Sequence, residues 1–451
     1  MAVLKYNKVI KYKAGITCDS PLHIGGSEGE KEEILVHPVT NLPFVQASSL
    51  AGMFRSAYEK NHKAEEISNL FGSAQQGEGM SCLKFSDGLF DAEDIKIELR
   101  PHVKLNRKTG TVANAEGSKS GQKFDMEYLA EGQTFSFDLY VFVQDEDVDG
   151  RDAAIKELLA RLKSGDMMLG GKKSNGVGKI HLSDLLRKEF DLCNEAQRRL
   201  WINEEELTKE DYEVYIDQLP EIEQQAFAYR IEVKAETEGA LQVKGIAMND
   251  FGAGVTDSEN MKNAKKEYII PGSSFKGAIR SQMEKIAGYL SKESIIEEAF
   301  GKGGESQKEG RRGNLIFADT VIGDSISNDQ NVLRHRIRID KFTGGVFQQG
   351  LFSEKNAVGN LDFHIDIVNR NNPDATLGLL LFALRDLATQ TMTLGNGYAT
   401  GKGFIKVNQI RVLAGKVEKS ADITVKDGVL KLEDPQQIIA QAMSSLKEVS
   451  A

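Results

Sequence analysis

Ser48-Ser49-Leu50-Ala51-Gly52-Met53-Phe54-Arg55-Ser56 and Ser273-Ser274-Phe275-Lys276-Gly277-Ala278-Ile279-Arg280-Ser281 are two versions of one segment. The agreement extends outward from them. Phe71-Gly72 returns as Phe300-Gly301, and Leu83-Lys84-Phe85-Ser86-Asp87 as Leu315-Ile316-Phe317-Ala318-Asp319. The stretch Leu99-Arg100-Pro101-His102-Val103-Lys104 returns as Leu333-Arg334-His335-Arg336-Ile337-Arg338. The glycine-rich run from Leu169 to Gly178 returns from Leu394 to Gly403. Segments that recur in one order at a nearly constant offset are the signature of a duplicated unit.

Each copy reads alike. A strand opens it, over Val9 to Thr17 and again over Tyr229 to Ala235. A helix begins at the paired serines, whose side-chain oxygens suit them to capping. Leu50, Met53, Phe54, Ala57 and Tyr58 fall on one helical face, as do Phe275, Ala278, Ile279, Met283 and Ile286. Phe135, Phe137, Leu139 and Val141 alternate as a strand, with a counterpart over Leu361 to Val368. A second helix, a glycine turn and a closing strand complete each copy. This order predicts an α+β chain of two tandem ferredoxin-like (RRM-like) domains with hairpin insertions. The expected boundaries are 1–184 and 226–414. Residues 185–225 between them read as a charged linker of short helices carrying the single tryptophan, Trp201, and 415–451 as a polar tail ending in a helix.

Composition bounds the function. A chain of 451 residues with 40% hydrophobic and 27% charged residues is long enough for two or three compact domains. No apolar run is long enough to span a membrane and the start of the chain has no signal-peptide core, so a cytoplasmic location is expected. Cys18, Cys82 and Cys193 lie far apart, with neither a disulfide nor a zinc pattern. The net charge of −10 gives no overall basic footprint for nucleic acid. Local basic clusters nevertheless stand at Lys104, Arg107 and Lys108, at Lys172, Lys173 and Lys179, and at Arg334, Arg336, Arg338 and Lys341.

Taken together, the segments resemble the RAMP superfamily, and within it the repeating backbone subunits of type III CRISPR effector complexes. Copy two carries the likeness more fully, in Pro271-Gly272-Ser273-Ser274-Phe275-Lys276-Gly277 with Arg280, in Arg338-Ile339-Asp340-Lys341-Phe342-Thr343-Gly344, and in Gly401-Lys402-Gly403. The resemblance implies a fused pair of backbone subunits that hold a guide RNA (crRNA), meet a complementary target RNA, and assemble with other CRISPR effector subunits. It further implies that a loop aspartate ahead of the first helix cuts the target with a divalent metal, magnesium or manganese, as an endoribonuclease.

Each candidate site has a plainer reading beside it. A helix start with Ser273, Ser274, Lys276 and Arg280 can bind phosphate through free N–H groups and cations, or it is an ordinary helix with surface cations. Copy one keeps the serines and, of the two cations, only Arg55, and has Gln46-Ala47 and Ala51 in place of the proline-glycine and the lysine. Lys172, Lys173 and Lys402 sit in glycine loops that allow close backbone approach to a ligand, or that merely turn the chain. Lys104, Arg107, Arg334, Arg336, Arg338 and Lys341 alternate with apolar residues, which suits phosphate tracking or a solvated strand face. Asp257, fourteen residues before Pro271, is the candidate catalytic and metal-holding group, with Asp250 second. An aspartate there can hold a metal or help deprotonate a ribose hydroxyl; a solvated loop aspartate is the plain alternative. The matching stretch of copy one is Glu30-Lys31-Glu32-Glu33.

Three functions compete with RNA-guided cutting. One is a scaffold of the same kind of complex that binds RNA without cutting. Another is a metal-independent guide-processing nuclease that uses His23. The third, a small-molecule enzyme, lacks any cofactor fingerprint; neither glycine loop has the phosphate-loop order GxxxxGK[ST].

Overall fold

The computed structural model describes residues 6–25, 33–73, 80–91, 95–103, 105–106, 112, 123–144, 148–203, 207–222, 227–245, 257–302, 310–324, 333–415, 419–426 and 428–449. The chain divides into two compact units. The first holds Met1–Glu98, Glu127–Lys173 and Val177–Gln225; the second holds Leu99–Met126, Ser174–Gly176 and Ala226–Ala451. Two short segments of the first sequence repeat therefore belong to the second unit.

The first unit is built on a sheet in which Lys8–Cys18 runs antiparallel between Thr134–Val143 and Ile180–Asp191, with Leu83–Phe85 beyond Thr134–Val143. Numbered by their order in the repeat, these four strands stand 4-1-3-2, the ferredoxin-like arrangement. The helices are α1 (Ala47–Tyr58), α2 (Ala64–Phe71), α3 (Val148–Lys163) and α4 (Glu195–Ile202). The expected alternation holds: Phe135, Phe137, Leu139 and Val141 are all buried, and they share a core with Leu50, Met53, Phe54 and Tyr58 of α1.

The second unit repeats the plan. Tyr229–Thr237 lies between Asn360–Ile367 and Ile405–Ala414, with Leu315–Phe317 at the far side. Its helices are α5 (Gly272–Leu290), α6 (Ser294–Phe300), α7 (Pro373–Ala388) and α8 (Ile438–Glu448). Phe275, Ile279, Met283 and Ala287 of α5 enter the core, where the Phe275 and Phe363 rings lie 4.6 Å apart.

Three local expectations need correction. The paired serines do not cap the helices. The N-cap residues are Gln46 and Pro271, and neither makes a side-chain capping bond. The first helical N–H is instead met from a distant loop: Ala47 donates to Asp87 Oδ1 at 2.7 Å and Gly272 to Asp319 Oδ1 at 2.9 Å. An aspartate carboxylate is the stronger acceptor and adds charge that suits the helix N-terminus. The stretch after Leu182 is also less helical than expected. Its strand continues to Asp191, α4 follows with its N-terminus capped by Asn194, and Tyr215 and Leu219 enter the first core. Trp201 packs on the rings of Tyr140 and Phe190. The polar tail adds two strands, Lys419–Lys426 and Val429–Glu433, to the edge of the second sheet. It then ends in α8, packed so closely on α7 that a Cβ on Gly378 would lie 2.7 Å from the Ala442 carbonyl oxygen.

Candidate RNA interface and catalytic loop

The second-repeat hairpin pairs Leu333–Ile339 with Val346–Lys355. Arg334, Arg338 and Lys341 are exposed on it. The Arg338 guanidinium lies 4.7 Å from the Phe347 ring centre, and Phe342 at the turn is 99% exposed. Cations interleaved with open rings match what single-stranded RNA needs, phosphate contacts together with stacking surfaces. Lys104 and Arg107, their first-repeat counterparts, lie outside the described residues, as do Asp250, Glu30, Lys31 and Glu32.

Asp257 is seated on the base of this hairpin. Ser258 and Glu259 pair in parallel with Glu354 and Lys355. Just before them, Asp257 Oδ2 accepts from the Ser353 backbone N–H at 2.6 Å and from its hydroxyl at 3.1 Å. These bonds hold the Asp257 carboxyl below the usual aspartate range. The group is exposed and ionised, better suited to holding a cation than to accepting a proton.

Behind Asp257 runs a polar network that the sequence did not disclose. Lys402 was expected to face RNA, but only 1% of its side chain is exposed. Its ammonium donates to Glu354 Oε2 at 2.7 Å and to Gln242 Oε1 at 3.0 Å. Gln242 Nε2 in turn donates to the Ser258 hydroxyl at 3.0 Å, next to Asp257. Arg336 pairs with the same Glu354, so it too has a partner in the fold. Burial alone would push the Glu354 carboxyl up; Lys402 and Arg336 overcome this and hold it below the usual glutamate range. Burial pulls the Lys402 ammonium below the usual lysine range, against the pull of Glu354.

The helix-start residues are also engaged within their units. Lys276 donates to the Ser174 hydroxyl at 2.6 Å. Arg280 bonds Glu284 and lies over the Phe300 ring, and Arg55 bonds Glu59. Ser273 and Ser274 are half-buried in the first turn of α5. With the Gly272 N–H given to Asp319, this helix start is partly neutralised before any phosphate arrives. Lys172 is exposed and Lys173 half-buried. The glycine loops are demanded by the fold itself: a Cβ on Gly178 or Gly403 would lie 1.9 or 2.1 Å from the Leu169 or Leu394 carbonyl oxygen. His23 is buried and donates from Nδ1 to the Glu127 carbonyl at 2.8 Å, a structural setting.

Among the described residues no three acidic, histidine or cysteine side chains gather to hold a metal. Asp257 offers one carboxylate. That fits magnesium, which is often held by one or two carboxylates together with substrate phosphate oxygens. No helix among the described residues is long and apolar enough to cross a membrane.

Comparison with known proteins agrees with the duplication. The family model described as the RAMP superfamily matches twice, over residues 15–181 and 249–406. The chain is also similar to a protein of Streptococcus thermophilus named "CRISPR system Cms endoribonuclease Csm3". They are 27% identical over 196 residues, covering 39% of this chain and 88% of that protein.

Proposed function

This chain belongs to the RAMP superfamily, and from that premise we propose that it is a guide-RNA-holding backbone subunit of a type III CRISPR effector complex whose second repeat cuts the complementary target RNA. The observation that carries the reading is the seat of Asp257, fixed by Ser353 to the base of a hairpin that presents Arg334, Arg338, Lys341 and Phe342 to solvent. Arg338 and Lys341 bind phosphates of the guide or target, and the exposed rings of Phe342 and Phe347 separate or stack on bases. Ser353 keeps Asp257 ionised and holds it in place, while Gln242 and Lys402 brace the strand ends behind it. Asp257 would be the protein ligand for a magnesium or manganese ion, which would supply activation of the attacking oxygen and charge neutralisation at the phosphate. In sequence, copy one has no aspartate at the matching stretch, which reads Glu30-Lys31-Glu32-Glu33, so cutting is assigned to the second repeat.

Asp257→Ala in the assembled complex tests the reading. Guide retention should be unchanged, and metal-dependent target cutting should fall about 100-fold or more, the scale of a few kcal/mol of transition-state stabilisation. Unchanged cutting would reject the catalytic assignment and leave a scaffold that holds RNA without cutting it.

A further inference from the structure

The second unit contains a closed joint. Arg100, from the first-repeat hairpin, pairs with Asp319 Oδ2 at 2.6 Å, the same carboxylate that receives the Gly272 N–H. The turn Ser174–Gly176 lies against the same helix start: Ser174 bonds Lys276, and a Cβ on Gly272 would lie 2.3 Å from the Phe317 carbonyl oxygen and 2.6 Å from that of Asn175. A Cβ on Gly176 would likewise lie 2.6 Å from Ala318 Cα. The plug is therefore an arginine with a serine-to-glycine turn. The socket is a capping aspartate, a glycine at the helix start and a lysine one turn on.

Because the sequence is duplicated, the chain carries each half once more. The second socket is Asp87 with Ala47 and Ala51, beside a groove of about 340 Å³ lined also by Arg55, Leu83 and Phe85. The second plug is Arg334, exposed on its hairpin, with Ala399 and Gly401; around Gly401 a Cβ would meet nothing within 4 Å. The charges match: Arg100 pairs with the capping Asp319 in the closed joint, and the outward halves carry the exposed Arg334 and the capping Asp87. The remaining features do not match. Ala47 puts a methyl where the closed joint admits none, and Ala51 with Ala399 removes both members of the ammonium–hydroxyl bond.

We propose that these outward halves are matched to a different protein built on the same repeat, and mismatched to each other, so that the chain does not join a second copy of itself. The mismatch ends self-addition after one chain and keeps the two flanking places for other subunits. This rests on the duplication and the contacts above, independently of RNA cutting.

The full chain, free of RNA, is tested by sedimentation across a wide concentration range. The wild type should show no self-association that responds to Asp87→Asn. The triple variant Ala47→Gly, Ala51→Lys, Ala399→Ser should self-associate at least about tenfold more strongly, and adding Arg334→Gln should abolish the gain. Thermal melting confirms that each variant is folded; if the triple variant fails to fold, Ala51→Lys with Ala399→Ser alone should give a smaller gain of the same Arg334-dependent kind. Wild-type polymers broken by Asp87→Asn, or folded repaired variants that stay monomeric, would overturn the proposal. In complexes purified from native cells, Asp87→Asn and Arg334→Gln should each lose a different neighbouring protein; unchanged composition in both would also overturn it.

Discussion

The two repeats fill two equivalent sequence positions in opposite ways. Leu22 bridges Leu129 as Leu241 bridges Ala357, so the position of Glu354 in the second repeat belongs to Met126 in the first. The glycine loops likewise align Lys402 with Val177. Met126 and Val177 are buried and apolar; Glu354 and Lys402 are buried and form an ion pair. The fold therefore does not require the charges. A buried ion pair is weak support for stability compared with well-packed apolar groups of similar size. It stands in the repeat that carries Asp257, and under the proposed reading it serves that site rather than the scaffold.

The largest effect should come from breaking the pair on one side. Lys402→Ala leaves Glu354 buried with Arg336 alone and should destabilise the second unit by about 3–5 kcal/mol, read by denaturant unfolding. Installing the first-repeat solution, Glu354→Met with Lys402→Val, should restore most of that stability while lowering target cutting at Asp257. Full cutting by the double variant would show that the network does not position the catalytic loop. Acid sharpens the same comparison. Because the folded-state pKa of Glu354 is depressed, its stabilising contribution is present above the unfolded glutamate value of about 4.3 and is lost as pH falls through the folded value. The stability gap between wild type and Lys402→Ala should therefore narrow in strong acid, whereas a gap that widens there would contradict the direction of the shift.

Salt dependence separates buried from exposed cations. Removing Arg338 or Lys341 singly should reduce the slope of log affinity against log salt by about 0.7 for each lost single-strand phosphate contact. Lys402→Met should leave that slope unchanged. The smallest effect belongs to the helix caps: Asp87→Ala should cost about 1 kcal/mol of stability through the lost bond to the Ala47 N–H.

Much of this architecture was legible in the chain. The recurrence of the serine-serine helix starts, the aromatic alternation over Phe135 to Val141 and the closing glycine turns fix two ferredoxin-like units, because side-chain periodicity follows local geometry. Asp257 was singled out by the family resemblance, through its place fourteen residues before Pro271. The fate of Lys402 was not legible, since a lysine between two glycines reads as an open loop cation. What buries it is Glu354 on another strand, a pairing set only by the tertiary fold. The same applies to Asp319, which appeared in the repeat without a role and caps a helix that begins 47 residues earlier in the chain. The tail strands escaped because they join a sheet edge with few buried side chains to betray them.

Guide-RNA binding by this chain is tested by purifying the protein with its companions from native cells and sequencing the bound nucleic acid. Short RNAs of repeat-plus-spacer type, recovered with other RAMP proteins, are expected. An intact, folded preparation free of such RNA would contradict it.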